Sequence, residues 1–306
     1  MKVSKKAQIE FNWLFALIVG AVILFLAIFF ASRLIGTQRY LSETELVKNF
    51  DVLLNPFASV GGIGKVSLAK TIDMPQTVQI NYTCDSEKIT MRLRSESSTG
   101  KKWGEWSPPN YIYNKYIFSN SFMQAKRFDV FSQPLYLPFR IDDLIYILDK
   151  DYCFVNAPLN IKSELEGLDL TKIQFASSGI SCKPASLKVC FDSSCDITVT
   201  GCSSSDCSGN VKKASVTVSY ATSSLMYAAI FSEPKMYSCE LSRLIARLKL
   251  LIDIYEQKAA MLSSQGCDTS TLQSKLEELK NAVSIESIYG ISKEVSAANP
   301  AECPVF

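Results

Sequence analysis

Histidine is absent from all 306 residues of the sequence, and this absence excludes several kinds of chemistry. Without an imidazole there is no Ser-His-Asp or Cys-His catalytic system, no histidine-ligated zinc, and no side chain whose unperturbed pKa lies near neutrality. An excess of one charge is also lacking, since 32 basic and 30 acidic residues leave a net charge of +2. That balance gives no electrostatic footprint for nucleic acid, so we expect no nucleic-acid partner.

One long apolar stretch is present near the N-terminus. The 22 residues from Phe11 to Ser32 carry no charge and are bounded by Glu10 and Arg33. As a helix this stretch would be about 33 Å long, enough to cross a hydrocarbon core about 30 Å thick. The apolar region of a cleaved secretory signal is shorter, about 7–15 residues. The sequence therefore predicts a basic leader over residues 1–10 and a permanent transmembrane helix over residues 11–35, with the lipid bilayer as its partner.

The cysteines indicate which side of the membrane the rest of the chain occupies. All ten lie between Cys84 and Cys303, beyond the apolar stretch. So many thiols would be unusual in a reducing cytosol but are typical of disulfides in an oxidising compartment. We therefore expect a cytoplasmic N-terminus and an extracytoplasmic C-terminal domain. Asn81 begins an Asn-Tyr-Thr sequon, which predicts N-glycosylation and agrees with this orientation.

The residues before the apolar stretch read Lys5-Lys6-Ala7-Gln8-Ile9-Glu10-Phe11. This segment resembles the class III leader of archaeal type IV pilins and pilin-like surface proteins. The resemblance implies cleavage between Ala7 and Gln8 by a prepilin-type peptidase, and pilin-like envelope subunits as partners. Glu10 would be the family's acidic residue near the new terminus, although in the family it usually lies later. The alternative is an uncleaved single-pass anchor.

The chain beyond the span changes its pattern several times. Helical spacing of apolar residues predicts a membrane-proximal helix over 38–58, after a break at Gly36-Thr37. The glycines of residues 59–65 predict a hinge. A phosphate loop would need a further glycine earlier in the segment and Ser or Thr after the lysine, and this segment has neither. Short runs of period two over 66–231 predict antiparallel strands, and residues 135–148 are expected to supply a buried strand and turn.

The C-terminal residues 232–306 return to helical spacing, in two segments separated at Gly266. They predict a helical hairpin whose apolar stripe docks on the sheet and pairs within the hairpin; binding of a partner is the alternative. The predicted fold class is therefore α+β, with an N-terminal transmembrane helix, an antiparallel β-rich, disulfide-stapled ectodomain and a C-terminal helical hairpin.

Two cysteine pairs repeat one spacing, Cys190-x4-Cys195 and Cys202-x4-Cys207. A disulfide across a four-residue hairpin loop is sterically allowed where the α-carbons approach to about 5.5–6 Å, so we predict these two bonds. A four-cysteine zinc site is the alternative, but its knuckles usually need two to four residues between ligands and a reducing compartment. We expect no metal and no cofactor.

Helix length constrains the remaining cysteines. Cys239 and Cys267 would lie at opposite ends of a helix about 40 Å long, so they cannot bond. If the second helix returns the chain, Cys303 becomes the predicted partner of Cys239. The pairing of the other four cysteines stays open: Cys84, Cys153, Cys182 and Cys267.

An aromatic cluster is the best candidate for recognition: Trp103, Trp106, Tyr111 and Tyr113, near several lysines. These side chains suit an extracellular glycan or protein ligand, but half-buried strands use the same residues for packing. We interpret the acidic pairs Asp149/Asp151 and Glu164/Glu166 as solvated surface charge.

Our hypothesis is a membrane-anchored, non-enzymatic cell-surface structural or interaction protein without catalytic residues. The alternative is a membrane-anchored, glycan-acting enzyme that uses carboxylates.

Overall fold

The computed structural model describes residues 11–58, 68–97, 102–203 and 207–306, with the side chains of residues 11–12 and 31–43 left out. The predicted leader residues Ala7, Gln8 and Glu10 and the predicted hinge over 59–65 lie outside the described residues. Within them the predicted α+β class is confirmed, since an apolar N-terminal helix precedes two mixed sheets and a group of C-terminal helices.

The described residues contain six α-helices, and their bounds are α1 (Phe11–Ala58), α2 (Leu159–Glu166), α3 (Thr222–Phe231), α4 (Pro234–Ser264), α5 (Ser270–Asn281) and α6 (Ile285–Ala298). The first six strands are β1 (Ala69–Cys84), β2 (Ile89–Ser95), β3 (Asn110–Ile112), β4 (Tyr116–Phe118), β5 (Phe122–Tyr136) and β6 (Arg140–Leu148). The next six are β7 (Tyr152–Val155), β8 (Ile173–Ala176), β9 (Leu187–Phe191), β10 (Ile197–Cys202), β11 (Cys207–Lys213) and β12 (Val216–Ala221).

Helix α1 runs without interruption for 48 residues, or about 72 Å at the usual rise. The predicted break at Gly36-Thr37 is therefore wrong. A glycine inside a helix costs only about 1 kcal/mol relative to alanine, which is too little to end a helix that is favoured on both sides.

The first sheet has the strand order β3-β2-β1-β5-β6-β4. Its inner face packs against the last part of α1, where Val47, Phe50, Leu54 and Phe57 are buried at helical spacing. These side chains form one core with the inward residues of the strands, such as Ile80 on β1. Alternation along β1 and β2 then places the intervening polar residues on the outer face of the sheet.

The second sheet has the order β12-β11-β10-β9-β7-β8. The predicted antiparallel pairing holds for six of the ten described strand pairs. The exceptions are parallel: β7 pairs with β8 and β9, β9 with β10, and β4 with β6. A period of two specifies which side chains share a face, but it is the same in parallel and antiparallel strands. The predicted buried strand and turn over residues 135–148 are confirmed as the end of β5, a turn and β6.

Helix α3 lies inside the region for which the sequence predicts only strands. All its residues from Ser224 to Phe231 are buried, and they join the larger core with residues of both sheets, including Phe131 and Phe154. A short, continuously apolar segment such as this one cannot be assigned to helix or strand from periodicity alone.

The ten cysteines form five disulfides: Cys84–Cys239, Cys153–Cys182, Cys190–Cys195, Cys202–Cys207 and Cys267–Cys303. The two short-range bonds are the pairs that the spacing predicts. Cys202–Cys207 crosses an antiparallel hairpin. Cys190–Cys195 instead joins β9 to the loop of residues 192–196, which connects the parallel strands β9 and β10.

The predicted bond between Cys239 and Cys303 is wrong, because three helices rather than a two-helix hairpin follow residue 232. Helix α5 has 12 residues and retraces only part of the 31-residue helix α4 before α6 turns the chain again. The C-terminus therefore lies beside the second half of α4, where Lys258 donates a hydrogen bond to the carbonyl of Val305. Cys303 bonds Cys267 there, while Cys239 reaches Cys84 at the end of β1.

Candidate ligand-binding face of the first sheet

The outer face of the first sheet is covered over only part of its width. Towards β6 and the end of β5, rings such as Phe131 and Tyr146 are buried against Phe231 of α3. Towards β3 and the start of β5, large apolar side chains are instead accessible, with Tyr111 51% and Phe122 45% exposed. The open part is therefore the outer surface of β3, β2, β1 and the first residues of β5.

A stack of three planar groups stands at one end of this surface. The Cζ atom of Arg94 lies 4.4 Å from the ring centroid of Trp106 and 5.6 Å from that of Trp103. Both distances are within the range of a cation–π contact. The segment that carries the tryptophans is held along β2 by backbone hydrogen bonds from Gly104 to Ser95 and from Ser107 to Leu93. Both rings are only partly buried.

Beneath the stack, polar groups of three strands form one hydrogen-bonded row. Register places Gln79 of β1 opposite Arg94 of β2 and Gln124 of β5. Nε of Arg94 donates to Oε1 of Gln79 at 2.6 Å, and Nε2 of Gln79 donates to Oε1 of Gln124 at 2.7 Å. The hydrogen bond to Gln79 holds the guanidinium of Arg94 within cation–π distance of both rings, so this cluster is formed in the unliganded protein.

The next row towards the other end of β2 contains an exposed arginine. Arg92 lies opposite Asn81 of β1, which in turn lies opposite Phe122 of β5. The following row pairs Thr90 with Tyr111, and Nζ of Lys88 lies 5.2 Å from the centroid of the Tyr111 ring. We call this surface the aromatic–basic face and define it by Arg92, Arg94, Trp103, Trp106, Tyr111 and Phe122.

The sequence prediction identified the aromatic residues but not how they are arranged. Trp103, Trp106 and Tyr111 belong to the face, and Tyr113 is 53% exposed in the loop after β3. Tyr116, which belongs to the same run of aromatic residues, is only 6% exposed and packs in the core.

Arg92, Arg94 and Phe122 are not among the site residues that the sequence predicts. The signal for the two arginines was available, because both alternate with buried Met91 and Leu93 along β2. Phe122 could not be found in this way, since its place beside Asn81 depends on the pairing of β5 with β1.

The predicted glycosylation site lies on the same surface. Asn81 is partly exposed in the interior of β1, with a paired strand on each side. Such acceptors usually lie in surface loops. A glycan on Asn81 would cover the middle of the aromatic–basic face, so modification of Asn81 and use of this face by a ligand exclude each other.

The acidic residues considered for catalysis have individual structural contacts. Asp149 accepts a hydrogen bond from Asn120, and burial raises the pKa of this carboxyl. Glu164 accepts from Gln133 and Tyr227, each at 2.8 Å. Asp151 and Glu166 are exposed, and their carboxylates lie 3.7 Å from the ammonium groups of Lys172 and Lys162.

Three surface cavities of the described chain each have one carboxylate in their lining, namely Glu164, Glu233 and Asp196. Among the described residues, no group of three or more cysteine or acidic side chains is arranged to hold a metal ion.

One helix of the described residues is long and apolar enough to cross a membrane. Its 18 residues Trp13–Phe30 have a mean hydropathy of 2.9, and none of them is buried inside the protein. Together with five disulfides, this helix is compatible with a membrane-anchored protein that has an oxidised extracellular domain. Comparison with protein-family models, curated proteins and solved structures gave no match.

Proposed function

We propose that the protein is a single-pass, membrane-anchored cell-surface protein that displays a disulfide-stabilised domain and presents the aromatic–basic face to an extracellular ligand. The observation that carries the proposal is the exposed apolar segment Trp13–Phe30, none of which is buried in the protein, on the same chain as five disulfides. Exposed in water, this segment would be strongly unfavourable, at roughly 25 cal/mol for each Å² of apolar surface. A bilayer removes that penalty. The proposal assigns no catalytic residue and no cofactor.

The orientation in this proposal has the N-terminus in the cytoplasm and the domain outside. Disulfides form and persist in oxidising compartments, and all ten cysteines are paired. The test is labelling of whole cells with a membrane-impermeant maleimide after an impermeant reductant. We expect labelling on intact cells of the partly exposed bonds Cys84–Cys239 and Cys267–Cys303; labelling of these four cysteines that appears only after lysis would place the domain in the cytoplasm and overturn the orientation.

We further propose that the leader is processed as in pilin-like proteins, with cleavage between Ala7 and Gln8 and subsequent association with pilin-like envelope subunits. Support comes from the segment Lys5–Phe11, which runs directly into the apolar helix. The proposal concerns the first residues only and requires the cytoplasmic N-terminus of the orientation above.

Intact mass of the purified protein tests the processing. We expect loss of residues 1–7 in cells that contain a prepilin-type peptidase. Replacing the small residue before the cut, Ala7→Trp, is expected to retain the leader, whereas Lys2→Ala, outside the motif, serves as the matched control and is expected to be cleaved. A wild-type protein that keeps Met1 to Ala7 is an uncleaved anchor, and this result would reject the processing.

A further inference from the structure

We infer that the aromatic–basic face binds an acidic polysaccharide, with sugar rings stacked on its aromatic side chains and sugar carboxylates paired with its guanidinium groups. The inference rests on the proposed function only in that the face must be outside the cell. It names the ligand class of that face, and four observations support it.

The first observation is the shape of the surface. The face belongs to a continuous antiparallel sheet of β3, β2, β1 and β5, in which neighbouring strands lie about 4.8 Å apart and side chains on one face repeat every second residue. Such a surface is extended and presents its side chains at regular spacings. It suits an extended polymer whose rings can stack on the exposed aromatic side chains, and none of the three cavities described above is lined by residues of this face.

The second observation is the distribution of charge. Arg92 and Arg94 project from the same side of β2, opposite Asn81 and Gln79 of β1. Neither arginine has an ion pair with a carboxylate among the described residues. The nearest carboxylates in sequence are Glu96, just after β2, and Glu105, between the two tryptophans, and neither has an ion pair among the described residues. Two guanidinium groups on one face without an ion pair complement a carboxylate-bearing ligand, to which arginine can donate two parallel hydrogen bonds.

The third observation is preorganisation. Arg94 is fixed by its hydrogen bond to Gln79 and by the two tryptophan rings. Because the stack is formed before any ligand arrives, little side-chain freedom is lost on binding. The accessible parts of Trp103 and Trp106 can receive a sugar ring while the neighbouring guanidinium of Arg94 contributes positive charge.

The fourth observation is the spacing of aromatic and polar groups. Phe122 and Tyr111 are exposed on β5 and β3, on either side of the central strands. Between them, Asn81, Thr83 and Thr90 offer amide and hydroxyl groups on the outer face. Rings that stack, alternating with groups that donate and accept hydrogen bonds, match the apolar faces and hydroxyl edges of pyranose units.

The test uses the full-length protein in detergent micelles, with polygalacturonate as the acidic probe, dextran as the neutral probe and polyglutamate as an acidic polymer without sugar rings. We expect binding to polygalacturonate that weakens with added salt and at least tenfold weaker binding to the other two. Either of two results would overturn the inference. Equal affinity for dextran would show that the charge of the ligand plays no role, and equal affinity for polyglutamate would show that its sugar rings play none.

Two matched pairs of variants locate the binding. Arg92→Glu should weaken binding to polygalacturonate at least tenfold, whereas Arg247→Glu, an exposed arginine on α4, should leave it unchanged. Phe122→Ala should weaken binding at least threefold, whereas Tyr136→Ala, equally exposed at 45%, should have no effect. All four residues lie at accessible positions, so a circular dichroism spectrum like that of the wild type is expected for each variant.

Unchanged affinity in Arg92→Glu and Phe122→Ala would show that the polymer binds elsewhere and would reject the inference. Failure of the proposed function is detected separately, because thiol labelling of whole cells reports the side of the membrane without any ligand.

Discussion

Lys213 is a lysine whose ammonium group is held inside the protein. It lies at the end of β11, and its Nζ donates hydrogen bonds to the carbonyls of Ile230 at 2.5 Å and Ser232 at 2.6 Å. These carbonyls belong to the C-terminal end of α3, where the helix dipole favours a positive charge. Burial nevertheless lowers the pKa of Lys213 to about 7.

This lowered pKa predicts how stability depends on pH. The unfolded chain keeps the proton of Lys213 up to about pH 10.4, whereas the folded protein releases it near pH 7, so the unfolded state binds more protons between these values. The free energy of unfolding should therefore rise with pH above 7. Urea unfolding in detergent at pH 7, 8 and 9 measures this rise, below the range in which unfolded tyrosines ionise.

Lys213→Met is expected to remove this part of the rise, and Lys212→Met, its exposed neighbour on β11, is expected to keep it. The same dependence on pH in all three proteins would contradict the role of Lys213.

The residues that could be predicted from sequence are those whose partners are near in the chain. Cys202 and Cys207 face each other across one hairpin, so their spacing was sufficient. Arg94 illustrates the opposite case. Its contacts with Gln79 and Trp106 depend on strand register and on a loop folded along β2, and neither is encoded in a local pattern.

At the scale of elements, the bond between Cys84 and Cys239 connects the end of β1 to α4. It closes a sequence separation of 155 residues, whereas Cys190–Cys195 closes one of 5. In the chain-entropy account, a cross-link stabilises more when it closes a longer loop, with about 4.7 kcal/mol for 100 residues. The long-range bond should therefore contribute more to stability than the short-range one.

Paired serine substitutions test this difference. The Cys84→Ser/Cys239→Ser double variant is expected to lose about 3–5 kcal/mol of unfolding free energy, and the Cys190→Ser/Cys195→Ser variant about 2 kcal/mol. Chemical denaturation under oxidising conditions gives both values. An equal loss in the two variants would show that loop closure does not determine the contribution of these bonds.

Element types could be predicted where periodicity was clear and not where a segment was apolar throughout. Helix α4 has a buried stripe that includes Leu244, Leu248 and Ile252, and this spacing predicts the helix correctly. Helix α3 is buried on all sides from residue 224 onward, so no stripe distinguishes it from a strand. The parallel pairs of the second sheet are a further limit, because pairing direction is decided by tertiary connections.

At the scale of the whole molecule, the apolar part of α1 is the feature that determines location. In the segment Trp13–Phe30, Ile23 is 61% and Leu24 62% exposed. Each arginine introduced near the centre of a membrane helix costs about 2.5–3.5 kcal/mol on the insertion scale. Ile23→Arg/Leu24→Arg should therefore shift the protein from the membrane fraction to the soluble or degraded fraction.

The matched control is Leu250→Arg/Ile254→Arg on α4, whose apolar side chains are 59% and 58% exposed. This variant should stay with the membrane fraction, as judged by flotation and immunoblotting. Loss of both variants from the membrane, or of neither, would contradict an anchor formed by Trp13–Phe30.

The unbroken course of α1 from Phe11 to Ala58 has a mechanical consequence. The last part of α1 forms one side of the core of the first sheet, through Phe50 and Leu54. Within the described backbone, α1 continues without a break from the apolar segment to these residues. Rotation or tilt of the apolar segment would therefore be transmitted as torque to the inner face of the first sheet. A pull on the opposite, aromatic–basic face would in turn load the same helix along its length.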